Sequence, residues 1–313
     1  MKYDVMTIGD ALEDVFVSPD LDLKHEKSFG SGKGICFELG EKINLESAEQ
    51  RVGGSACNVA VGLSRLGLKS SLATTLGKDI PAKLILDTLK DEEVGDEFVQ
   101  KSIDAKTGFS VIFLIEGERT IFVHHGSRKI EVPKELKTEW LFAGPLPEES
   151  EEIERQIVAQ ISEQNIKFAW NPGSCQLAKG ANHYKNLLRL TNILFLNRDE
   201  AVDFLNCAIK PSWEQALKRL HEFGPKIVVI TDGREGAKAY DGHEIFSVNA
   251  EKNVKVVDST GAGDAFATAF LAKIIDEPEN IELALKWGIK NGTSVIKKVG
   301  AQPGLLKKSQ ITN

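Results

Sequence analysis

The chain has 313 residues, of which 42% are hydrophobic and 27% charged, and its net charge is −7. That composition excludes a fibrous or disordered chain and allows a large buried core; the acidic balance argues against the basic surface that nucleic-acid binding uses. No apolar run is long enough to span a bilayer, and the opening MKYDVMTIGDALEDVF lacks the apolar core and cleavage site of a secretory signal. The sequence therefore points to a cytoplasmic protein that binds neither membrane nor nucleic acid.

Tyr3–Ile8 reads as a first buried strand ending at Gly9 and Asp10. Residues 13–52 differ: short alternating runs around Asp14–Val17 and from Ile35 to Leu45 flank the glycine-rich Phe29–Gly34, which predicts exposed β-ribbons joined by a mobile connection. Val52-Gly53-Gly54-Ser55 then leads into a helix over Ala56–Leu66 with Gly67 as its stop. Ser70–Thr75 is a strand, and Pro81–Lys90 is a helix with proline near its start. Thr107–Ile115 and Arg119–His124 form a hairpin. Beyond it strands at 140–143, 166–170, 193–196 and 226–231 alternate with helices at 148–164, 198–205 and 212–223, and helices at about 263–275 and 279–298 close the chain. This β-then-α order predicts a mainly parallel sheet covered on both faces. The expected layout is one α/β domain over 1–313 with lid segments at about 13–52 and 107–126, lying over the carboxyl edge where open sheets bind ligands.

The segment richest in chemistry is Val256-Val257-Asp258-Ser259-Thr260-Gly261-Ala262-Gly263-Asp264-Ala265-Phe266. It reads as a short strand, a small-residue turn and a helix start. Free N–H groups at Gly261, Ala262 and Gly263, with the positive end of the helix dipole, make an anion site. Asp264 at that start either complements the dipole or takes a proton from an attacking hydroxyl. Neither a P-loop nor a dinucleotide fingerprint is present, since the latter needs glycine where Phe266 stands. Cys36, Cys57, Cys175 and Cys207 are scattered and are expected to be reduced thiols, and the histidines form no metal-binding set.

Asp258 through Phe266 resembles the D-T-x-G-A-G-D signature of the ribokinase/PfkB carbohydrate kinases. Val52 through Gly67 is similar to their G-G-x-x-x-N-x-A-x-x-L-x-x-L-G signature. Asn171-Pro172-Gly173, Asn197-Arg198-Asp199-Glu200, Thr231-Asp232-Gly233-Arg234-Glu235-Gly236 and Gly300-Ala301-Gln302-Pro303 look like the connecting marks, so the resemblance spans nearly all of the chain. It implies a ribokinase-like fold and transfer of a phosphoryl group from ATP to a hydroxyl of a sugar or nucleoside, with Asp264 as base. The same resemblance makes Asp14, Asp10, Gly53, Gly54 and Asn58 acceptor-binding. Asn197, Thr231, Gly233 and Gly236 become nucleotide-binding, and Glu200 positions Mg²⁺ through water. Asp258, Thr260 and Gly300 fall where many members hold K⁺, with Gly304 in place of a frequent serine. Gly288 replaces an asparagine common near the adenine, so no adenine contact is assigned. Lid strands in the family often serve as homodimer contacts. Ser55 stands where a lysine is frequent, which favours an unphosphorylated acceptor; Lys33, Arg119 and Arg128 are the cations nearest that space. Phe109 and Ile121 are expected mainly as lid packing, and His124 and His125 as the hairpin's end.

Overall fold

Strands whose two faces are both apolar demand cover on both sides, and this chain supplies it. The computed structural model describes residues 2–20, 26–29, 32–115, 118–126 and 130–311. Six strands, β1 (Tyr3–Ile8), β6 (Ser70–Leu76), β10 (Thr138–Ala143), β11 (Lys167–Trp170), β12 (Ile193–Asn197) and β13 (Ile227–Thr231), pair in parallel at the centre of a nine-stranded sheet. The short β7 (Val99–Lys101) extends one edge in parallel, and β14 (Ala237–Tyr240) and β15 (Ile245–Val248) extend the other in antiparallel fashion. Side-chain alternation assigns the faces. Val5, Trp140, Phe142, Ile193, Phe195 and Val229 pack to one side. Met6, Leu141, Leu194, Leu196, Val228 and Ile230 pack to the other.

The first side is covered by α1 (Ser55–Arg65), α8 (Ala262–Asp276) and α9 (Ile281–Val295). The second is covered by α3 (Glu151–Gln164), α4 (Ser174–Lys179), α5 (Lys185–Leu190), α6 (Arg198–Phe204) and α7 (Trp213–His221), while α2 (Ile80–Asp91) packs against α1 and β6. Their starts follow local chemistry. Asp79 accepts the Ala82 N–H ahead of Pro81, and Ser212 forms a capping box with Gln215. Most of the expected strands and helices are present with ends shifted by a few residues, but the expected ribbon from Ile35 to Leu45 is strand only at its two ends, with turn and irregular backbone between them.

The ribbons gather into a second sheet over the carboxyl edge. β2 (Leu12–Pro19) lies between β5 (Leu45–Gly53), antiparallel to it, and β8 (Gly108–Ile115), parallel to it, and β9 (Glu118–His124) completes the order β5-β2-β8-β9. β3 (Glu26–Phe29) and β4 (Gly32–Ile35) form a small hairpin within the expected mobile stretch. Gly30, Ser31, Arg128 and the side chain of Lys33 lie outside the described residues.

The expected strand at Val256 and Val257 is absent. Both are more than a third exposed, and the Val257 and Asp258 N–H groups donate to the Ile296 carbonyl near the end of α9 rather than to a ladder. The sheet edge is already taken by β15, so this apolar run lines a cavity instead.

Candidate active site

Two segments far apart in the sequence meet at Asp264. Gly261 precedes α8 with φ of 74°, and a Cβ on it would lie 2.3 Å from that of Ala301; only glycine fits there. No side chain caps α8, so the N–H groups of its first turn are left for a ligand. That of Ala262 makes a long turn bond, 3.3 Å, to the Ser259 carbonyl. A Cβ on Gly263 would meet nothing within 4 Å.

Asp264 accepts from Ser55 Oγ at 2.6 Å and from Asn58 Nδ2 at 2.8 Å, one donor on each carboxylate oxygen. The two donors lie in the first turns of α1. That helix starts there because Gly54, at φ 93°, presses against the Asp10 carbonyl and Ala11, where a Cβ would sit 2.5 Å from the Asp10 oxygen. Asn58 is oriented in turn by Gln302 Nε2, which donates to its Oδ1 at 3.1 Å. Burial pushes the Asp264 carboxyl above its usual range, and the Asn58 and Ser55 donors pull against that. Asn58 is 3% exposed, and one of its two amide N–H groups is spent on Asp264. Ser55 was not among the expected site residues. Its signal was only its place beside the glycine pair, since the partner is 209 residues away.

Asp14, on β2, points the same way. It is 5% exposed, and burial raises its carboxyl to about 6; a Ser110 hydrogen bond lowers it, Asp258 and Asp264 raise it, and Arg119 lowers it. A Cβ on Gly53 would fall 2.0 Å from Asp14 Oδ2, so the first glycine of the pair makes room for that carboxylate. Asp10 is half-buried at the root of the same strand. On the lid, Ile121 is opposite Ile112 and shares the face of Asp14 and Ser110. Phe109 is opposite His124 and faces away, its ring tilted against that histidine at 5.5 Å between centroids.

Beside the α8 start lies a cavity of about 810 Å³. Its lining includes Thr231, Gly233 and Gly236 after β13, the apolar Val254 and Ile289, and Ala262 and Gly263 at the start of α8. Gly288 is explained here: a Cβ on it would strike the Phe266 ring at 2.6 Å, so a flat apolar wall replaces an amide. Asn197 does not line this cavity. It is the cap of α6: its Oδ1 accepts the Asp199 and Glu200 N–H groups, while Glu200 Oε2 accepts its own N–H at 2.8 Å. Burial pushes the Glu200 carboxyl up, the Asn197 N–H pulls against that, and the charge of Asp264 adds to the rise. Among the described residues no three His, Cys, Asp or Glu side chains group around a metal position.

The 2% exposed Asp258 is fully engaged. Its Oδ1 accepts from Thr260 N at 2.9 Å and Thr260 Oγ1 at 2.7 Å, its Oδ2 accepts from Gly300 N at 2.9 Å, and the Arg119 guanidinium stands 3.8 Å away. Three hydrogen bonds and a neighbouring guanidinium thus serve this carboxylate without a bound K⁺.

A family model described as pfkB family carbohydrate kinase matches residues 32–308. The chain belongs to that family. It is 24% identical, over 96% of its length and 90% of the relative's, to the ATP-dependent 6-phosphofructokinase of Thermoanaerobacterium thermosaccharolyticum. It is 28% identical to the ribokinase of Staphylococcus aureus, over 85% and 89%. The fold matches that of Arabidopsis thaliana ribokinase complexed with ribose and ATP, with a TM-score of 0.81, 21% identity and coverage of 99% and 98%. As a pfkB kinase with a ribokinase fold, the chain is a phosphotransferase with an alcohol group as acceptor.

Proposed function

We propose that this kinase transfers the γ-phosphoryl of MgATP to a hydroxyl of an unphosphorylated sugar. The carrying observation is the Asp264 carboxylate, held by Ser55 and Asn58 at the uncapped start of α8. Asp14 accepts hydrogen bonds from the acceptor's hydroxyls and fixes it beside Asp264. Asp264 takes the proton of the attacking hydroxyl. The first-turn amides of α8, Gly261 to Gly263, face the charge that develops on the transferred group. Thr231, Gly233 and Gly236 hold the nucleotide's phosphates along the cavity, and the apolar lining at Val254, Phe266 and Ile289 takes its base. Glu200, with one oxygen spent on its cap, orients water around Mg²⁺ with the other. Mg²⁺, when bound with the nucleotide, neutralises phosphate charge. The β8–β9 hairpin covers the acceptor and keeps water out.

Asp14 and Asp264 bring negative charge to the acceptor space, which supports a neutral polyol. A nucleoside acceptor has support of its own, because the exposed Ile121, on the lid face that carries Asp14, offers apolar surface to a base. The relative named a 6-phosphofructokinase supports a sugar phosphate instead. Comparing kcat/KM over ribose, fructose, 2-keto-3-deoxygluconate, adenosine, cytidine and fructose 6-phosphate tests these together. A sugar phosphate ahead by about tenfold overturns the neutral acceptor; no turnover with any sugar, nucleoside or sugar phosphate overturns the kinase and leaves a ligand sensor. The exposed Phe37, Phe109 and Phe122 support a homodimer through the lid, which sedimentation tests.

A further inference from the structure

Asp258 is a buried carboxylate at the entrance to the turn that presents the anion-binding amides, and the lid reaches it directly through Arg119 and indirectly through Gly300. At the far end of the β8–β9 hairpin, Arg119 is opposite Leu114, six residues along β8 from the root at Gly108. That is about 20 Å at the usual rise of a strand. From there its guanidinium crosses to the body. It donates to Ser259 Oγ, contacts Thr260 Oγ1 at 3.5 Å and lies 3.8 Å from Asp258 Oδ1. On the other side, Gly300 gives its N–H to Asp258 Oδ2, and the lid residues Arg51 and Phe16 pack against Gly300, where a Cβ would sit 3.1 Å from Arg51 Cγ and 3.6 Å from the Phe16 ring. Both lid contacts therefore converge on one carboxylate, and Asp258 leads through Ser259 and Thr260 directly into Gly261.

Resting on the kinase assignment, we propose that Arg119 is a positioning residue: it is the counter-ion that the closed lid brings to Asp258, doing the work of a dissolved monovalent cation and setting the Ser259–Thr260 turn that aims the α8 amides. Without a positive neighbour, Asp258 keeps its hydrogen bonds but loses charge compensation beside the site where the phosphoryl group's negative charge develops. With the lid closed, the compensation and the amides arrive together, so phosphoryl transfer waits for acceptor capture. By strand register Arg119 also lies on the face of the lid sheet that carries Asp14.

The test compares wild type, Arg119→Ala and Arg119→Lys in K⁺ and in tetramethylammonium at constant ionic strength, with the best acceptor. Wild type is expected to be indifferent to the swap. Arg119→Ala should lose at least about tenfold in kcat in tetramethylammonium, with KM for ATP and ADP affinity near those of wild type, and should regain several-fold in K⁺ or guanidinium. Arg119→Lys should keep most of the activity. ADP binding by calorimetry shows that each variant is folded. Should Arg119→Ala not fold, Arg119→Lys and Ser259→Ala carry the test: a tenfold K⁺ response in wild type, or Arg119→Lys falling far below Ser259→Ala, overturns the proposal. An Arg119→Ala protein with wild-type kcat in both media, or a loss that neither small cation relieves, also overturns it while leaving the kinase intact. No phosphoryl transfer by wild type overturns both.

Discussion

Replacing Asp14 by Asn should stabilise the free protein and impair the enzyme. Burial raises the Asp14 carboxyl from its ordinary 3.8 to about 6. The folded protein therefore holds a proton between those values that the unfolded chain has released. Stability contributed by that proton is lost as pH rises through the window, and above about pH 7 the ionised Asp14 costs about 3 kcal/mol relative to the unfolded chain. Asn carries no charge at any pH and can still meet Ser110. At pH 8 the variant should melt about 3–5 °C above wild type for a chain of this size, and the gain should shrink toward zero near pH 4. The variant should also lose about ten- to a hundredfold in kcat/KM for the acceptor, because a charge-assisted acceptor of hydroxyl protons has been removed. Thermal melts at pH 5 and pH 8 with steady-state kinetics measure both. A melting point at pH 8 equal to or below that of wild type refutes the electrostatic reasoning.

Asp264→Asn should lower kcat by at least about a hundredfold while ADP still binds, since an amide cannot take the hydroxyl proton; near-normal turnover excludes Asp264 as base. Gly53→Ala puts a methyl where Asp14 Oδ2 sits and should raise the acceptor KM by about tenfold or more, with nucleotide affinity unchanged by calorimetry. Chelating divalent cations with EDTA should abolish turnover, and Mg²⁺ should restore it; Glu200→Gln should raise the Mg²⁺ concentration needed for half-maximal rate.

Local pattern carried far in this chain. The apolar runs at Tyr3–Ile8 and Ile227–Thr231 are long enough, and flanked clearly enough, to be read as buried strands. Glycines at 53, 54, 261 and 263 marked the two turns that became the site. What failed was short or weakly coded. The helices α4 and α5 have six residues each, too few for a 3.6-residue period to show. Strand β14, Ala237-Lys238-Ala239-Tyr240, has no β-branched residue and is held by its neighbours β13 and β15. Val256 and Val257 had the composition of a strand but no free edge to join. Asn197 and Glu200 satisfied two readings at once, and the structure shows the capping box directly.

The pairings at Asp264 and Asp258 were beyond sequence reasoning for a different reason. Each depends on residues brought together by the sheet rather than by spacing: Ser55 and Asp264 are 209 positions apart, Arg119 and Ser259 140. The first pairing joins α1 to α8 within the body, and the second joins lid to body. If the lid swings, Asp264 keeps its donors, because Ser55 and Asn58 ride on α1. Asp258 keeps Thr260 and Gly300 but loses Arg119. Under the proposed mechanism the base would thus be built into the body, whereas charge compensation beside the α8 amides would depend on the lid. Such a division would let an open enzyme hold ATP beside a prepared base without offering its phosphoryl group to water.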